Sequence, residues 1–208
     1  MNMRSEAYQR FLASYDRVHG LSHVGRALEG KALGSVDMSE AFRAEIVLAV
    51  SAWDSYVHNL CVEAIYKSFL GSREKNKHYG EARICLSSAE QLASGGSTSW
   101  VEGEVRAQFS RDTFQRADDI AKALRFVDDR PKRLARVAAS MTYSSEVFRQ
   151  RLNAIVDRRN MIVHEADIDP VWGSVRPIGA EEAEEASGFL LDCVVAIEAE
   201  CWEPHNGE

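Results

Sequence analysis

The sequence predicts an all-α protein that folds as a helical bundle. Apolar residues recur at helical spacing in several long segments, and no segment keeps the apolar–polar alternation of a half-buried strand. Only four of the 208 residues are proline, and strong helix formers, above all alanine, leucine, glutamate and arginine, are frequent. A chain of this length can bury a large core without metals or disulfides, so we expect a single domain over residues 1–208.

Two long helices are predicted at the start of the chain. The first covers roughly residues 5–28, and residues 29–36, which contain two glycines, end it. Ser39 is expected to cap a second helix that reaches about residue 70. The apolar stripe of this helix consists of Ile46, Val47, Val50, Val57, Leu60, Cys61 and Ile65. The stripe predicts that the second helix packs into the core.

An insertion is predicted at about residues 71–109, between core segments at about residues 5–70 and 110–202. Polar and charged residues open it, and a short helix near residues 81–93 and the flexible sequence SGGST at 94–98 follow.

Four more helices are predicted, at about residues 100–111, 117–126, 144–165 and 180–202. A turn at residues 128–131, with two aspartates and a proline, separates the middle two. The helix at 144–165 is expected to turn its apolar side chains inward, namely Phe148, Leu152, Ile155, Val156, Ile162 and Val163.

The cysteines and the chain's hydropathy indicate a cytoplasmic protein with no membrane partner. The four cysteines form no CxxC pair, and Cys193 and Cys201 would lie about 12 Å apart along a helix, too far for a disulfide. Free thiols are typical of a reducing compartment. The amino-terminal sequence is too polar for a signal peptide, and the longest apolar stretch, residues 46–53, is too short to span a bilayer.

The charge is unevenly distributed. The net charge is −7, which argues against a nucleic-acid partner, but residues 125–159 contain nine Lys and Arg against four Asp and Glu. This segment therefore carries +5 and the remainder −12. The asymmetry fits either one face that meets phosphate or ordinary solvated helix faces.

The sequence RRNMIVHEAD at residues 158–167 contains the candidate site. Arg159 is in helical register with Leu152 and Ile155, so it is expected to face inward, whereas Arg158 falls off that stripe. A buried guanidinium needs an acceptor or a function, because an unpaired buried charge is costly. Asn160 and His164 lie one turn apart on one helix face.

An arginine, an amide and an imidazole are the groups that metal-free phosphodiester cleavage requires. The imidazole can transfer protons near neutral pH. The guanidinium grips phosphate and stabilises charge that develops in the transition state. The alternative is a structural ion pair beside a surface histidine. No HExxH, metal-spaced Cys/His cluster, Walker loop or GxGxxG occurs, so we expect neither a metal nor a cofactor.

Several acidic residues are candidates for supporting this motif. Asp54 lies on the apolar side of the second helix, so it needs a cation, for which Arg159 is the candidate, unless it reaches water at an edge. Glu165 and Asp167 are candidates to cap or orient the motif, and solvation at the helix end explains them equally well. His58 is expected to be a core or surface histidine rather than a catalytic one.

The run LNAIVDRRNMIVHEADIDP resembles the R-x(4–6)-H signature of HEPN domains, and most of all that of the RiboL-PSP-HEPN subgroup. The sequences VLAVSAWDSYVHNLCVEAI and DTFQRADDIAKAL are also similar to that subgroup, so the likeness covers roughly residues 39–70 and 110–200. The resemblance implies a HEPN-like helical bundle that forms a homodimer with two motifs in one cleft. Active members are metal-independent RNases, and several relatives are toxins or antiviral effectors.

The resemblance assigns the family's arginine to Arg159, its polar position to Asn160 and its histidine to His164. Arg158 also fits the spacing, and only the apolar stripe favours Arg159. The function expected is that of an endoribonuclease that cuts RNA by 2′-hydroxyl attack, leaving a 2′,3′-cyclic phosphate. A cognate antitoxin or defence-system component is a further candidate partner.

Two alternative functions stay open. A HEPN-fold module that holds RNA or a nucleotide without cutting it would use the same residues. A helical dimeric adaptor with Arg159 as a structural ion would fit the acidic net charge.

Overall fold

The predicted all-helical architecture is confirmed. The computed structural model describes residues 4–29, 37–93 and 97–202. Among these residues, the only β-type hydrogen bonding is one isolated antiparallel bridge between Ile168 and Val175. The helices are α1 (Glu6–Glu29), α2 (Ser39–Phe69), α3 (Leu86–Ala93), α4 (Trp100–Phe109), α5 (Ala117–Ala123), α6 (Arg133–Ser140), α7 (Ser145–His164) and α8 (Ala180–Ile197). Short 3-10 turns at Tyr79–Glu81 and Leu124–Phe126 and a π-helical turn at Glu198–Trp202 complete them.

Helix α2 is the centre of the bundle. It packs against α1, α4, α7 and α8, and it buries residues around most of its circumference rather than along one stripe. Among its side chains, Trp53, Val57 and Leu60 have no solvent-exposed surface. A helix that is apolar nearly all round is stable only inside other helices, and the neighbours of α2 provide that surrounding.

Buried carboxylates fasten α1 to this core. The Glu63 side chain, on α2, accepts the backbone N–H groups of Glu6 (3.0 Å) and Ala7 (2.9 Å) at the start of α1. Glu198, in the π-helical turn, accepts the Ser5 N–H at 2.9 Å and the Tyr56 hydroxyl at 2.9 Å. Because a helix begins with unpaired N–H donors and a positive partial charge, carboxylates stabilise its start.

The capping residue predicted for α2 is wrong. The helix begins at Ser39, and the N-cap position before it is taken by Met38, whose side chain makes no capping hydrogen bond. Asp37, one residue earlier, accepts the Ser39 N–H at 2.9 Å. This hydrogen bond lowers the pKa of Asp37. The Ser39 hydroxyl instead accepts a hydrogen bond from Arg43 at 2.8 Å. The sequence offers both a serine and an aspartate here, and only the approach of Arg43 decides which of them accepts a backbone N–H group.

Two features of the middle of the chain differ from the predicted layout. Helix α4 packs against α2 and buries Val101, Val105 and Phe109, so the core already includes the last part of the predicted insertion. Helix α6 was not predicted, although Leu134, Val137 and Ala138 are buried at helical spacing. Part of the predicted SGGST linker, residues 94–96, lies outside the described residues.

The cysteines are all free thiols, as predicted. Cys61, Cys193 and Cys201 are buried, whereas Cys85 is exposed. Burial raises the pKa of both Cys61 and Cys201 to about 12, so these thiols stay protonated at neutral pH. No helix in the described parts of the chain combines the length and apolarity needed to cross a bilayer.

Asp128 gives the fold a testable pH dependence. Burial alone would raise the pKa of Asp128, but hydrogen bonds and charge from Arg130 and Arg136 lower it. A lowered pKa in the folded state contributes stability above the ordinary aspartate pKa, and this contribution is lost as the pH falls towards the folded value. We expect Asp128→Asn to lower the free energy of unfolding by about 1–2 kcal/mol at pH 7.

Urea titrations at pH 7 and near pH 3 measure this difference, which should shrink at the acidic pH. The control is Asp118→Asn, which removes an exposed carboxylate from its ion pair with Arg149 and should cost less than about 0.5 kcal/mol. Equal losses in the two variants would contradict the prediction.

Candidate active site at the end of α7

The candidate motif lies at the carboxyl end of α7. The helix starts where the Ser144 hydroxyl accepts the Val147 N–H at 3.2 Å, and it buries Phe148, Leu152, Ile155 and Val156. It ends at His164, after which Ala166 and Asp167 adopt left-handed backbone conformations, with φ of 50° and 56°. The Asp167 N–H donates to the carbonyl of Met161 at 3.0 Å, so the chain turns back against α7.

This turn buries a carboxylate between two arginines. The Asp167 side chain has no exposed surface, and it accepts hydrogen bonds from Arg43 Nε at 2.8 Å and from the Arg158 guanidinium. Arg43 lies on α2 and Arg158 on α7. We call these three residues the Asp167 cluster. It joins the start of α2 to the end of the motif helix.

Both arginines of the Asp167 cluster also hold the segment that follows α7. Arg43 donates to the carbonyl of Arg176 at 2.6 Å. Arg158 donates to the carbonyl of Pro177 at 3.2 Å and to the Glu182 carboxylate at 2.8 Å. The donors of both side chains therefore have acceptors, as buried guanidinium groups require.

Arg159 is in a different environment from Arg158. Its guanidinium donates to Asn160 Oδ1 at 3.0 Å. Its Nε is inaccessible to solvent and has no hydrogen-bond acceptor. No carboxylate of the described residues lies within ion-pair distance of Arg159, so none of them neutralises its positive charge.

His164 and Asn160 lie one turn apart on α7, as the spacing predicted. Asn160 is half-buried and His164 is exposed. The His164 imidazole makes no hydrogen bond or ion pair within the described residues. The arrangement therefore presents an open imidazole beside an amide-held guanidinium at the end of one helix.

The predicted ion pair between Asp54 and Arg159 is wrong. The Asp54 carboxylate accepts the Phe114 N–H at 2.6 Å and the Gln115 side-chain amide at 3.3 Å. His58 Nε2 lies 3.7 Å from the same carboxylate. Asp54 thus holds the chain segment that leads into α5. Helical spacing could not show this contact, because its partners lie about 60 residues away along the chain.

Other expectations for the motif helix also need correction. Arg158 was expected off the buried stripe, but its side chain is only 13% exposed because the segment after Asp167 covers it. Val163 was expected inward, but it is 44% exposed. Glu165 is exposed, and its side chain makes no contact with the motif among the described residues. Asp167, in contrast, is buried and pairs with Arg158 on the motif helix.

Arg43 was missed in the sequence, although a signal was present. It precedes Ile46 and Val50 by three and seven residues on α2, so it lies on the buried face of that helix. A charged residue in such a position indicates a buried partner. Asp54 and Arg43 are both charged residues in such positions on α2, so each needs a partner.

The basic segment at residues 125–159 is largely neutralised by other parts of the chain. Five of its nine cations have carboxylate partners, namely Arg125, Arg130, Arg136, Arg149 and Arg158. Most of these partners lie outside the segment, as Glu81, Asp118, Asp167 and Glu200 do. The local excess of +5 is therefore not a continuous positive face. Four of its cations have no carboxylate partner among the described residues, namely Lys132, Arg133, Arg151 and Arg159.

The sequence model of the RiboL-PSP-HEPN family matches residues 36–203, which include α2 and α7 with the whole motif. The chain belongs to the RiboL-PSP-HEPN family. This confirms the resemblance found in the sequence. Neither the curated proteins nor the solved structures contain a match.

The match to the RiboL-PSP-HEPN family begins after α1, which nevertheless packs against α2 and α8.

Among the described residues of this domain, no group of three His, Cys, Asp or Glu side chains is arranged to hold a metal ion.

The Asp167 cluster predicts a large loss of stability in Asp167→Asn. Asparagine tolerates the left-handed backbone but removes the charge that pairs with Arg43 and Arg158. We expect the free energy of unfolding to fall by on the order of 3 kcal/mol, because two buried guanidinium groups lose their shared carboxylate. Urea denaturation at pH 7 measures the loss.

The matched control is Glu165→Gln, two residues away and exposed, which should change stability by no more than about 0.5 kcal/mol. If Asp167→Asn is as stable as this control, the Asp167 cluster does not stabilise the fold.

Proposed function

We propose that this RiboL-PSP-HEPN domain is a metal-independent endoribonuclease that uses Arg159, Asn160 and His164. The observation that carries the proposal is the contrast between the two adjacent arginines. Arg158 is occupied by Asp167 and Glu182, whereas Arg159 has no carboxylate partner among the described residues and a buried Nε without an acceptor. A guanidinium left in this state on the same helix end as an open imidazole is suited to bind a phosphate that comes from outside the chain.

The proposed reaction is an internal transfer at one phosphodiester. The ribose 2′-oxygen forms a bond to the adjacent phosphorus while the bond from phosphorus to the 5′-oxygen breaks. One proton leaves the 2′-hydroxyl and one is delivered to the 5′-oxygen, giving a 2′,3′-cyclic phosphate and a 5′-hydroxyl. His164 serves as general base or general acid, and Arg159 stabilises the charge on the phosphorane.

Asn160 has a positioning role in this mechanism. Its side-chain oxygen accepts a hydrogen bond from Arg159, which leaves its N–H donors for a phosphate oxygen. Single-stranded RNA or an exposed loop is the favoured substrate, because an A-form helix does not readily place the 2′-oxygen in line with the leaving group. None of these steps requires a metal ion.

The cellular role we propose is that of a toxin or antiviral defence effector in the cytoplasm, restrained by a cognate antitoxin or another defence component. Support for this role comes from the sequence resemblance to HEPN effectors.

A second candidate function is RNA or nucleotide binding without cleavage. The exposed position of His164 favours it, since no other side chain of the described residues orients the imidazole. A general base normally needs such a partner to be held in place. A second copy of the chain would supply groups to the same site if two motifs share a cleft.

We therefore also propose that the domain acts as a homodimer. Exposed apolar side chains on α2 and α7 are available for contact with a second copy, namely Leu48, Val147 and Val163. Light scattering at micromolar concentration should give twice the monomer mass of 23.2 kDa. A mass of one chain under the conditions where RNA is cut would rule out a composite cleft.

The decisive test compares His164→Ala with Arg159→Ala on single-stranded RNA in EDTA. If His164 transfers a proton, His164→Ala should lower the cleavage rate by roughly 10²–10⁴ and leave RNA affinity nearly unchanged. Arg159→Ala should lower both, and the slope of log affinity against log salt should become shallower by about 0.7, as for one lost phosphate contact. Compared with Arg159→Ala, Arg159→Lys should restore RNA binding better than the cleavage rate. Lysine keeps the positive charge but lacks the planar guanidinium that donates two hydrogen bonds to one phosphate.

The matched controls are Arg149→Ala, an arginine on the same helix that is paired with Asp118, and His23→Ala, an exposed histidine on α1. Both should cut RNA at the wild-type rate. Cleavage by His164→Ala at the wild-type rate would refute the nuclease assignment, as would activity that needs added magnesium. If wild type and His164→Ala bind RNA equally and neither cuts, the binding module is the function.

A further inference from the structure

A constrained hairpin follows the motif directly. Residues 168–175, which we call the Trp172 hairpin, are closed by the bridge between Ile168 and Val175. The Asp169 N–H donates to the Ser174 carbonyl and the Gly173 N–H to the Asp169 carbonyl, both at 2.8 Å. Gly173 has a φ of 64°, which favours glycine in this turn.

A side-chain cap fixes the tip of the hairpin. One oxygen of the Asp169 carboxylate accepts the backbone N–H groups of Val171 at 2.8 Å and Trp172 at 3.1 Å. These hydrogen bonds lower the pKa of Asp169, so the carboxylate is ionised at neutral pH and the cap is formed. The backbone that carries Trp172 is therefore held in one conformation.

Trp172 is exposed on this fixed backbone. Its side chain is 81% exposed and that of Val171 77%. The other three tryptophans are buried or half-buried. An indole left in water is unfavourable. Together with Val171, Trp172 forms an exposed apolar patch on a conformationally fixed turn, and an exposed apolar patch indicates a binding role.

The hairpin is tied to the candidate active site at its base. The Ile168 N–H donates to the Glu165 carbonyl at 3.1 Å, one residue after His164. The Asp167 cluster holds the other end of the hairpin through the carbonyls of Arg176 and Pro177. With a rise of about 3.3 Å per residue, the tip lies roughly 10 Å from this base. The hairpin that carries Trp172 thus begins directly after the motif helix, so an RNA strand bound at His164 can extend over a few nucleotides to the indole.

We propose that Trp172 is a stacking platform for a base of single-stranded RNA that flanks the phosphate cleaved at Arg159 and His164. The inference rests on the proposed function and names the substrate-positioning residue of the same site. Unpaired bases stack on aromatic side chains irrespective of their hydrogen-bonding edges. Trp172 therefore selects for unpaired RNA rather than for one sequence.

The geometry favours a base over an apolar protein surface as the occupant. The indole stands at the tip of a turn that also carries the charged Asp169 and the polar Ser174, and not on a flat helix face. Most of the ring is open to solvent, as insertion beside an unstacked base requires. The neighbouring uncompensated cation, Arg159, attracts phosphate.

The experiment measures RNA affinity in the His164→Ala background, so that the RNA stays intact. Trp172→Ala should weaken binding of a short single-stranded RNA by about 5- to 100-fold, and Trp172→Phe should keep most of the affinity. RNA should quench the fluorescence of the exposed tryptophan, and this quenching should be lost in Trp172→Ala. The control Leu86→Ala removes an equally exposed apolar side chain on α3 and should bind normally.

A set of RNAs that each lack one base separates stacking from a general loss of structure. At one position, loss of the base should weaken RNA binding to the His164→Ala protein that retains Trp172. The same loss should have no further effect on Trp172→Ala, because base and ring contribute to one interaction.

The outcomes distinguish this inference from the proposed function. If RNA is cut or bound by the parent protein and Trp172→Ala behaves identically, Trp172 is not a stacking residue and the nuclease proposal stands. If Trp172→Ala changes the mass by light scattering, the hairpin is a contact between copies and the inference is overturned. If the parent protein neither binds nor cuts RNA, both proposals fail.

Discussion

The Asp167 carboxylate is the interaction on which the geometry of the site depends. It is completely buried and shared by Arg43 at the start of α2 and Arg158 on α7. Without this carboxylate each guanidinium would lose its buried ion-pair partner and keep only a more exposed one, Glu40 for Arg43 and Glu182 for Arg158. Both arginines also bind carbonyls of the segment after α7. One cluster therefore fixes where the motif helix ends and where the Trp172 hairpin begins.

This cluster explains why two adjacent arginines have different environments. Neighbouring residues on a helix point about 100° apart, so Arg158 and Arg159 meet different surroundings. Arg158 binds Asp167 and Glu182, whereas Arg159 binds Asn160 and no carboxylate among the described residues. The proposed function uses this difference, because it assigns the binding of an external anion to Arg159. The family signature allows four to six residues between the arginine and the histidine. It therefore fits both Arg158 and Arg159 and does not show which of the two is paired within the chain.

The charge distribution bears on how such a domain would hold RNA. The net charge is −7, and most arginines of the basic segment are paired within the chain. A protein of this kind has few phosphate contacts to offer, so non-specific, salt-dependent binding to nucleic acid should be weak. Affinity would then depend on a small number of local contacts. Base stacking, which does not depend on counterion release, would complement the phosphate contact proposed for Arg159 in this setting.

The sequence by itself determined the helical architecture, the family and the order of the motif residues along α7. The architecture and the order of the motif residues follow from spacing along single helices, which is local and periodic. The family follows from the resemblance of whole sequence stretches to its other members. The long helices were predicted to within a few residues, whereas the short α6 was missed and the cap of α2 was assigned to the wrong residue.

Only the tertiary structure decided the partners of the charged side chains. Asp54 binds the segment before α5 rather than Arg159, and Asp167 binds Arg43, 124 residues away. The sequence shows that a charge on a buried face needs a partner. It does not show which partner, because contacts between distant segments depend on how the helices pack and not on their periodicity.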